Sequence, residues 1–319
     1  MLRMRPLALS ALLVLFPALA AAAGSAEQPG VCWSPDALKG MAAERATHRG
    51  GPGARMAAPA IGPYTPVPLP AALRGSIRRV ALPPGVKLLA LTFDLCEANG
   101  EVTGYDGGVV DYLRANGVKA TFFAGGKWME THAERAQQLI ADPLFQVGNH
   151  TWSHRNLRKL SGRDMENEIA RAEAAYERTR SALAGRACMA ADPAAMTRIP
   201  ERLSVFRFPY GTCSPAAMKA VGDAGMAAIQ WDVVTGDPAE GQSAERIAAV
   251  VLKRARPGSI IVAHANGKGR ETARALALFV PKLQAQGYRF VTVGELLAAG
   301  KPVAAATCYE ERPGDNDHY

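Results

Sequence analysis

Alternating buried strands and amphipathic helices predict an α/β protein, a distorted (β/α) barrel of about seven parallel strands. Three observations carry this. The run VKLLALTF, from Val86, is continuously apolar and preceded by Pro-Pro-Gly, the pattern of a strand buried on both faces. The runs VKATFFAGG, FQVGNHT, VFRFPY, AAIQWDVVT, SIIVAH and YRFVTV follow, separated by stretches of helical period. About seven such units in roughly 215 residues suit barrel-like closure better than a plain open sheet.

Taken in order, the chain opens on a targeting segment. MLRMR is a short basic start, PLALSALLVLFPALA is apolar, and Ala20 to Ala23 offer a small-residue cleavage site. This is the layout of a secretory signal peptide over 1–23, expected to be cut, with the mature protein secreted or periplasmic. Residues 24–83 are rich in Pro, Gly and Ala and lack sustained period, so they read as an extended, loosely packed arm. The main domain spans 84–300, and a polar tail covers 301–319. Within the domain, GGVVDYLRANG is a helix stopped by glycine, and a second helix covers about His132–Asp142. Ser161 to Leu183 is a long amphipathic helix with Ser161 as its N-cap, three residues before Asp164. Residues 185–203 form a Pro-containing insert. Helices near Ala216–Asp223, Ala244–Arg254 and Glu271–Gln286 separate the last strands.

Composition excludes several classes. With 48% hydrophobic and 21% charged residues in 319, the chain is globular rather than disordered. The formal charge of +8 includes Arg3 and Arg5 of the targeting segment, and the remainder carries no Lys/Arg-rich block, so nucleic acid is discounted as a partner. After signal cleavage no apolar run is long enough for a membrane span. All five cysteines, Cys32, Cys96, Cys188, Cys213 and Cys308, follow the signal, which favours disulfides, and their odd number leaves at least one out of intrachain pairs. Without a CxxC pair, a thiolate zinc finger or thioredoxin-type motif is not supported.

Chemistry in parallel β/α folds gathers at the C-terminal ends of the strands, and unusual polar residues fall there. TFDLCE places Asp94 and Glu97 at one end, and NHTWSH places His150 and His154 at another. RFPYGTC brings Arg207 and Tyr210, QWDVVTGD brings Trp231, Asp232 and Asp237, and IIVAHANG brings His264. Two histidines four apart can ligate one metal, and a carboxylate from a further strand end would complete a His₂-carboxylate set with a position open for water. Arg207 enters a buried strand, and a buried guanidinium needs a carboxylate; Asp94 and Asp237 are the candidates. His264 emerges at the rim, where beside a metal site it suits proton donation. Trp152, Trp231 and Tyr210 could line a groove for sugar rings.

In this order and spacing the motifs resemble the polysaccharide deacetylase family, also called the NodB homology domain or carbohydrate esterase family 4, over about residues 86–298. TFD resembles the family's TFDD, HTWSH its H-(S/T)-x-x-H metal motif, RFPY its R-x-P-Y, the GD of QWDVVTGDP its D-W motif, and VAH its L-x-H. The resemblance implies Asp94 as catalytic base, His150 and His154 as metal ligands, and Arg207 orienting Asp94. It further implies Asp237 holding Arg207, the Tyr210 N–H in an oxyanion hole, and His264 as general acid. It implies a bound divalent metal, expected to be Zn²⁺, and a polysaccharide substrate bearing N-acetylglucosamine, such as peptidoglycan, chitin or an exopolysaccharide.

Two positions depart from the pattern. Leu95 stands where the family has its second Asp, the usual third metal ligand, and leucine cannot bind a metal. Glu97, Cys96 or Asp94 could fill the gap; Glu97, on the same loop and a normal zinc ligand, is the first choice. Pro238 replaces the D-W tryptophan. A C–N hydrolase acting on a small amide stays open as an alternative. So does a non-catalytic carbohydrate-binding relative, although retention of Asp94, Arg207, Asp237 and His264 argues against that last reading. If Arg207 orients Asp94, the loops of Cys96 and Cys213 meet at one rim, so a Cys96–Cys213 disulfide is expected. Cys32–Cys308 would then clip the flanking arms together and Cys188 would stay free.

Overall fold

The computed structural model describes residues 32–63, 65–67 and 69–318. The expected signal peptide and its cleavage site lie outside the described residues. The centre of the molecule is the strand β2, Leu88–Leu95, in which every residue is buried. Its alternate side chains serve two cores. Leu89, Leu91, Phe93 and Leu95 pack outward with the helices, whereas Leu88 and Ala90 join an inner cluster with Phe123, Val205, Ile260 and Val262.

Strands β3 (Ala120–Ala124), β4 (Phe145–Asn149), β5 (Val205–Phe206) and β6 (Ala227–Ala228) extend the sheet on one side of β2. Strands β7 (Val233–Val234) and β8 (Ile260–His264) lie on its other side. The order is β6-β5-β4-β3-β2-β8-β7, all parallel, curled into a half-barrel as expected, and β9 (Arg289–Phe290) pairs with the start of β2. Register brings the chemistry to one rim: His264 faces Asp94, Asp94 faces Phe123, and Asn149 faces both Ala124 and Phe206. The helices lie where the sequence places them, at Gly107–Ala115, Ala133–Ala141, Gly162–Ala184, Pro215–Asp223, Ala244–Arg254 and Thr272–Ala285. Ser214 and Ser243 cap their helices through side-chain oxygens, whereas Ser161 occupies the N-cap position without such a bond. The 185–203 insert carries two short helices, Ala187–Ala191 and Pro193–Thr197.

The flanking segments are more tightly built in than their composition predicts. Strand β1, Ser76–Ala81, belongs to the presumed loose arm, yet it pairs antiparallel with β10, Lys301–Ala305, from the presumed tail. β1 also bridges the open side of the barrel: Gln230 N donates to Ile77 O at 2.7 Å and Val80 N to Gly258 O at 3.0 Å. Gly258 has φ +83°, and a Cβ there would meet Val80 O at 1.7 Å, so only glycine permits this approach. The adjacent Arg78 and Arg79 disguise the strand in the sequence. Arg78 is nevertheless buried, because its guanidinium donates to Tyr309 O and Glu310 O and lies 3.6 Å over the Tyr309 ring. At the other end of the arm, Arg135 grips Glu44 with two bonds of 2.9 Å and donates to the carbonyls of Ala37 and Lys39.

The cysteines pair differently from the expectation. Cys32 is bonded to Cys188 and Cys213 to Cys308, with Cα separations of 5.2 and 5.4 Å, and Cys96 is free and buried. The Cys96–Cys213 and Cys32–Cys308 pairs are therefore corrected. The start of the arm, at Cys32, lies against the insert helix Ala187–Ala191, and the tail is tied through Cys308 to the loop after β5 instead. The tail returns over the Tyr210–Cys213 loop, where Trp231 Nε1 donates to Glu310 O and Asn316 Nδ2 to Gly211 O.

Candidate active site

Asp94 lies on the barrel-facing side of β2, opposite in pleat to Phe93 and Leu95. Its Oδ1 accepts from Arg207 Nη1 at 2.8 Å, and its Oδ2 lies 3.9 Å from His150 Nε2. Arg207 is completely buried, 4.1 Å over the Phe123 ring, and donates its other bonds to the carbonyls of Ile229 and Gln230. A guanidinium so desolvated needs a counter-charge, and Asp94 supplies it. Asp237 does not touch Arg207, so the expectation that it holds the arginine is corrected. Its Oδ1 lies 2.9 Å from His264 Nδ1, and its Oδ2 accepts from His264 N at 2.7 Å and Thr272 Oγ1 at 2.7 Å. The barrel closure thus sorts the two strand-end carboxylates onto two different cations. His264 sits on the rim with its side chain 22% exposed.

The histidine loop follows β4. Buried Asn149 pins it: Oδ1 accepts from Thr151 N at 2.9 Å and Nδ2 donates to Ile169 O at 3.1 Å. Glu168 accepts from Ser153 N and Ser153 Oγ. These anchors hold Thr151 and His154 at left-handed φ of 65° and 55°, a conformation that non-glycine residues adopt only when their surroundings impose it. No pattern in the sequence marks Asn149 or Glu168 for this work. His150 Nδ1 donates to Arg207 O at 2.9 Å, which fixes the ring and turns Nε2 towards Asp94. That Nε2 is buried without a hydrogen-bond partner. The two imidazole centroids are 5.0 Å apart, and the His154 ring lies 4.6 Å from that of Tyr210.

Glu97 does not join these histidines. It is fully buried on the other side of the loop, where it accepts from Lys127 Nζ at 2.8 Å, Thr103 N at 2.9 Å and Thr131 Oγ1 at 3.0 Å. With Oε1 committed to Lys127 and Thr131 and Oε2 to Thr103, it is turned away from the histidines, and its expected role as ligand is corrected. The side chain that comes to the histidines is Cys96. Among the described residues, Cys96, His150 and His154 form the group able to hold a metal, with one ligand atom from each within 4.8 Å of the others. Burial pushes the Cys96 thiol up, but the imidazoles of His154, His150 and His264 outweigh this and hold it well below the usual thiol range. Burial likewise pulls the His264 imidazolium down, and Asp237, aided by Cys96, more than offsets it, holding His264 well above the usual histidine range.

Of the three aromatic residues expected to line a groove, Trp152 and Trp231 are buried and serve packing. Tyr210 alone faces solvent, 43% exposed, at a left-handed φ of 60°.

Residues 81–185 match the family model described as Polysaccharide deacetylase. The chain is 31% identical over 219 residues to a peptidoglycan-N-acetylglucosamine deacetylase of Bacillus cereus, covering 68% of this chain and 91% of that protein. The chain belongs to the polysaccharide deacetylase family. That family is one of hydrolases, and the relatives named here are deacetylases. A chitooligosaccharide deacetylase of a Bradyrhizobium species is 28% identical over 224 residues, 66% of this chain and 91% of that one. Among solved structures, a peptidoglycan N-acetylglucosamine deacetylase bound to an N-hydroxybenzamide is similar with a TM-score of 0.58 at 28% identity, over 72% of this chain and 95% of that one.

Proposed function

We propose that this polysaccharide deacetylase is an exported, metal-dependent enzyme that removes N-acetyl groups from N-acetylglucosamine in peptidoglycan. The observation that carries the reading is the pair of charged dyads, Asp94–Arg207 and His264–Asp237, set on adjacent strands beside the His150–His154 pair. The two similar peptidoglycan deacetylases support the substrate. Two disulfides support export to a secreted or periplasmic location.

His150 Nε2 is a fitting ligand, since a buried imidazole nitrogen with no hydrogen-bond partner on a fixed ring asks for a cation. A divalent metal held by His150 and His154, expected to be Zn²⁺, would polarise the acetyl carbonyl and lower the pKa of water towards about 7. Asp94 takes the proton of the attacking water, while Arg207 keeps the carboxylate from turning. The backbone N–H of Tyr210 donates to the oxyanion, an interaction of about 3–4 kcal/mol. His264, loaded with a proton through Asp237, donates it to the departing glucosamine nitrogen. Acetate and a free amine result, without a covalent intermediate.

The test is acetate release from N-acetylated peptidoglycan by the purified protein. Release is expected with Zn²⁺, lost on chelation and restored by metal. No release by zinc-loaded protein from peptidoglycan would overturn the substrate, and none from chitooligosaccharides either would overturn the activity.

The acid has its own signature. His264→Asn lowers kcat for amide cleavage by about 10²–10⁴-fold. Asp237→Asn, which acts through His264, lowers kcat at little change in KM. An aryl acetate ester, whose leaving group departs without a proton, loses far less with either variant. Equal losses on ester and amide would remove His264 from the proton-donor role.

A further inference from the structure

Resting on the metal-dependent reading above, we propose that the third protein ligand of the metal is the thiolate of Cys96, in a Cys-His-His set. The reason begins in the pleat of β2. Successive side chains of a strand point to opposite faces, so a shift of one residue changes the face. Leu95 is still in register with Ala124 and follows that pleat into the helix-facing core. Cys96 is the next residue, and its side chain returns to the Asp94 side.

The backbone there is clamped. Cys96 O accepts from Thr103 Oγ1 and from Asn266 Nδ2, both at 2.8 Å, so the thiol is aimed by bonds from two separate segments. The orphaned Nε2 of His150 is the independent sign that something belongs among these groups. Three ligand atoms within 4.8 Å of one another suit one ion at the roughly 2.0–2.3 Å bond lengths of zinc to nitrogen and sulfur. Glu97, the carboxylate nearest in sequence, is spent on Lys127, and Asp94 Oδ1 on Arg207.

A thiolate changes what the site accepts. Sulfur is a soft ligand, so the set favours Zn²⁺ and Co²⁺ and discriminates against Mg²⁺, Ca²⁺ and Mn²⁺, which prefer oxygen. On binding, the S–H proton leaves to solvent as the sulfur–metal bond forms, with no change of oxidation state. The thiol then stands beside the reaction as a ligand rather than as a nucleophile.

Cobalt is the probe. The full-length mature protein, stripped with a chelator and titrated with Co²⁺, is expected to bind one equivalent and show an intense near-ultraviolet sulfur-to-cobalt charge-transfer band. Cys96→Ser should lose that band and weaken Co²⁺ binding by about 100-fold or more, since loss of an outer-shell partner alone already costs 10–100-fold. Cys96→Asp should restore much of the affinity without the band. Cobalt binding that is abolished by His150→Ala but unchanged in spectrum and affinity by Cys96→Ser would overturn thiolate ligation and leave the metal reading intact. Failure of the wild-type protein to bind Co²⁺ or Zn²⁺ at all would overturn both.

Discussion

Asp94→Asn is expected to lower kcat for deacetylation by about 10²–10⁴-fold, the range of a lost general base, while cobalt or zinc stays bound. The substitution keeps the shape of the side chain and an oxygen for Arg207, so the barrel interior is not emptied. It removes the negative charge, and that has a second effect. Arg207, wholly desolvated, loses the carboxylate that neutralises it. Breaking a buried ion pair from one side costs about 3–5 kcal/mol. Thermal unfolding should therefore move down as activity disappears, and kcat must be read well below the new midpoint. Metal content, measured on the same sample, separates the two effects. A variant that retains more than a tenth of the wild-type kcat would show that another group takes the water's proton.

The second large effect belongs to stability. Glu97→Gln leaves Lys127 charged in a site with no access to water, and so does the converse change impose an unpaired carboxylate. Each single substitution is expected to destabilise the fold by about 3–5 kcal/mol. The double variant Glu97→Gln with Lys127→Met removes both charges and should recover much of that loss. Denaturant unfolding of the three variants gives the coupling energy directly. Metal affinity should stay at the wild-type level in the double variant. Loss of metal with Glu97→Gln at unchanged stability would return Glu97 to the ligand set.

Most of the barrel was legible because its strands are buried on both faces. LLALTFDL has no polar alternation to confuse with an edge, and glycine or proline punctuates the helices. β1 was hidden because SIRRVA buries an arginine whose partners, Tyr309 O and Glu310 O, lie more than two hundred residues away. The rim residues were legible by their place at strand ends. Their pairing was not. Asp94 and Asp237 are equally good partners for Arg207 on paper, and only the closing of β7 against β8 carries Asp237 to His264. The choice between Cys96 and Glu97 turns on a single step along the chain, which decides between the histidines and Lys127. Disulfide connectivity depends on the path of the arm, and spacing alone does not carry it.

The order of the cysteines along the chain bears on how the protein matures. Cys213 and Cys308 are neighbours in that order, but the Cys32–Cys188 bond passes over Cys96. A chain entering an oxidising compartment from its N-terminus presents Cys32 and then Cys96 well before Cys188. First-come pairing would join those two, tether the arm to the end of β2, and consume the one thiol that faces the histidines. The native pattern is reached when β2 is sequestered in the barrel before Cys32 is oxidised, or when a thiol later exchanges the wrong partner out. For a chain exported as proposed above, the native pairing therefore depends on the timing of strand burial against oxidation, with thiol exchange as the route back from a wrong pair.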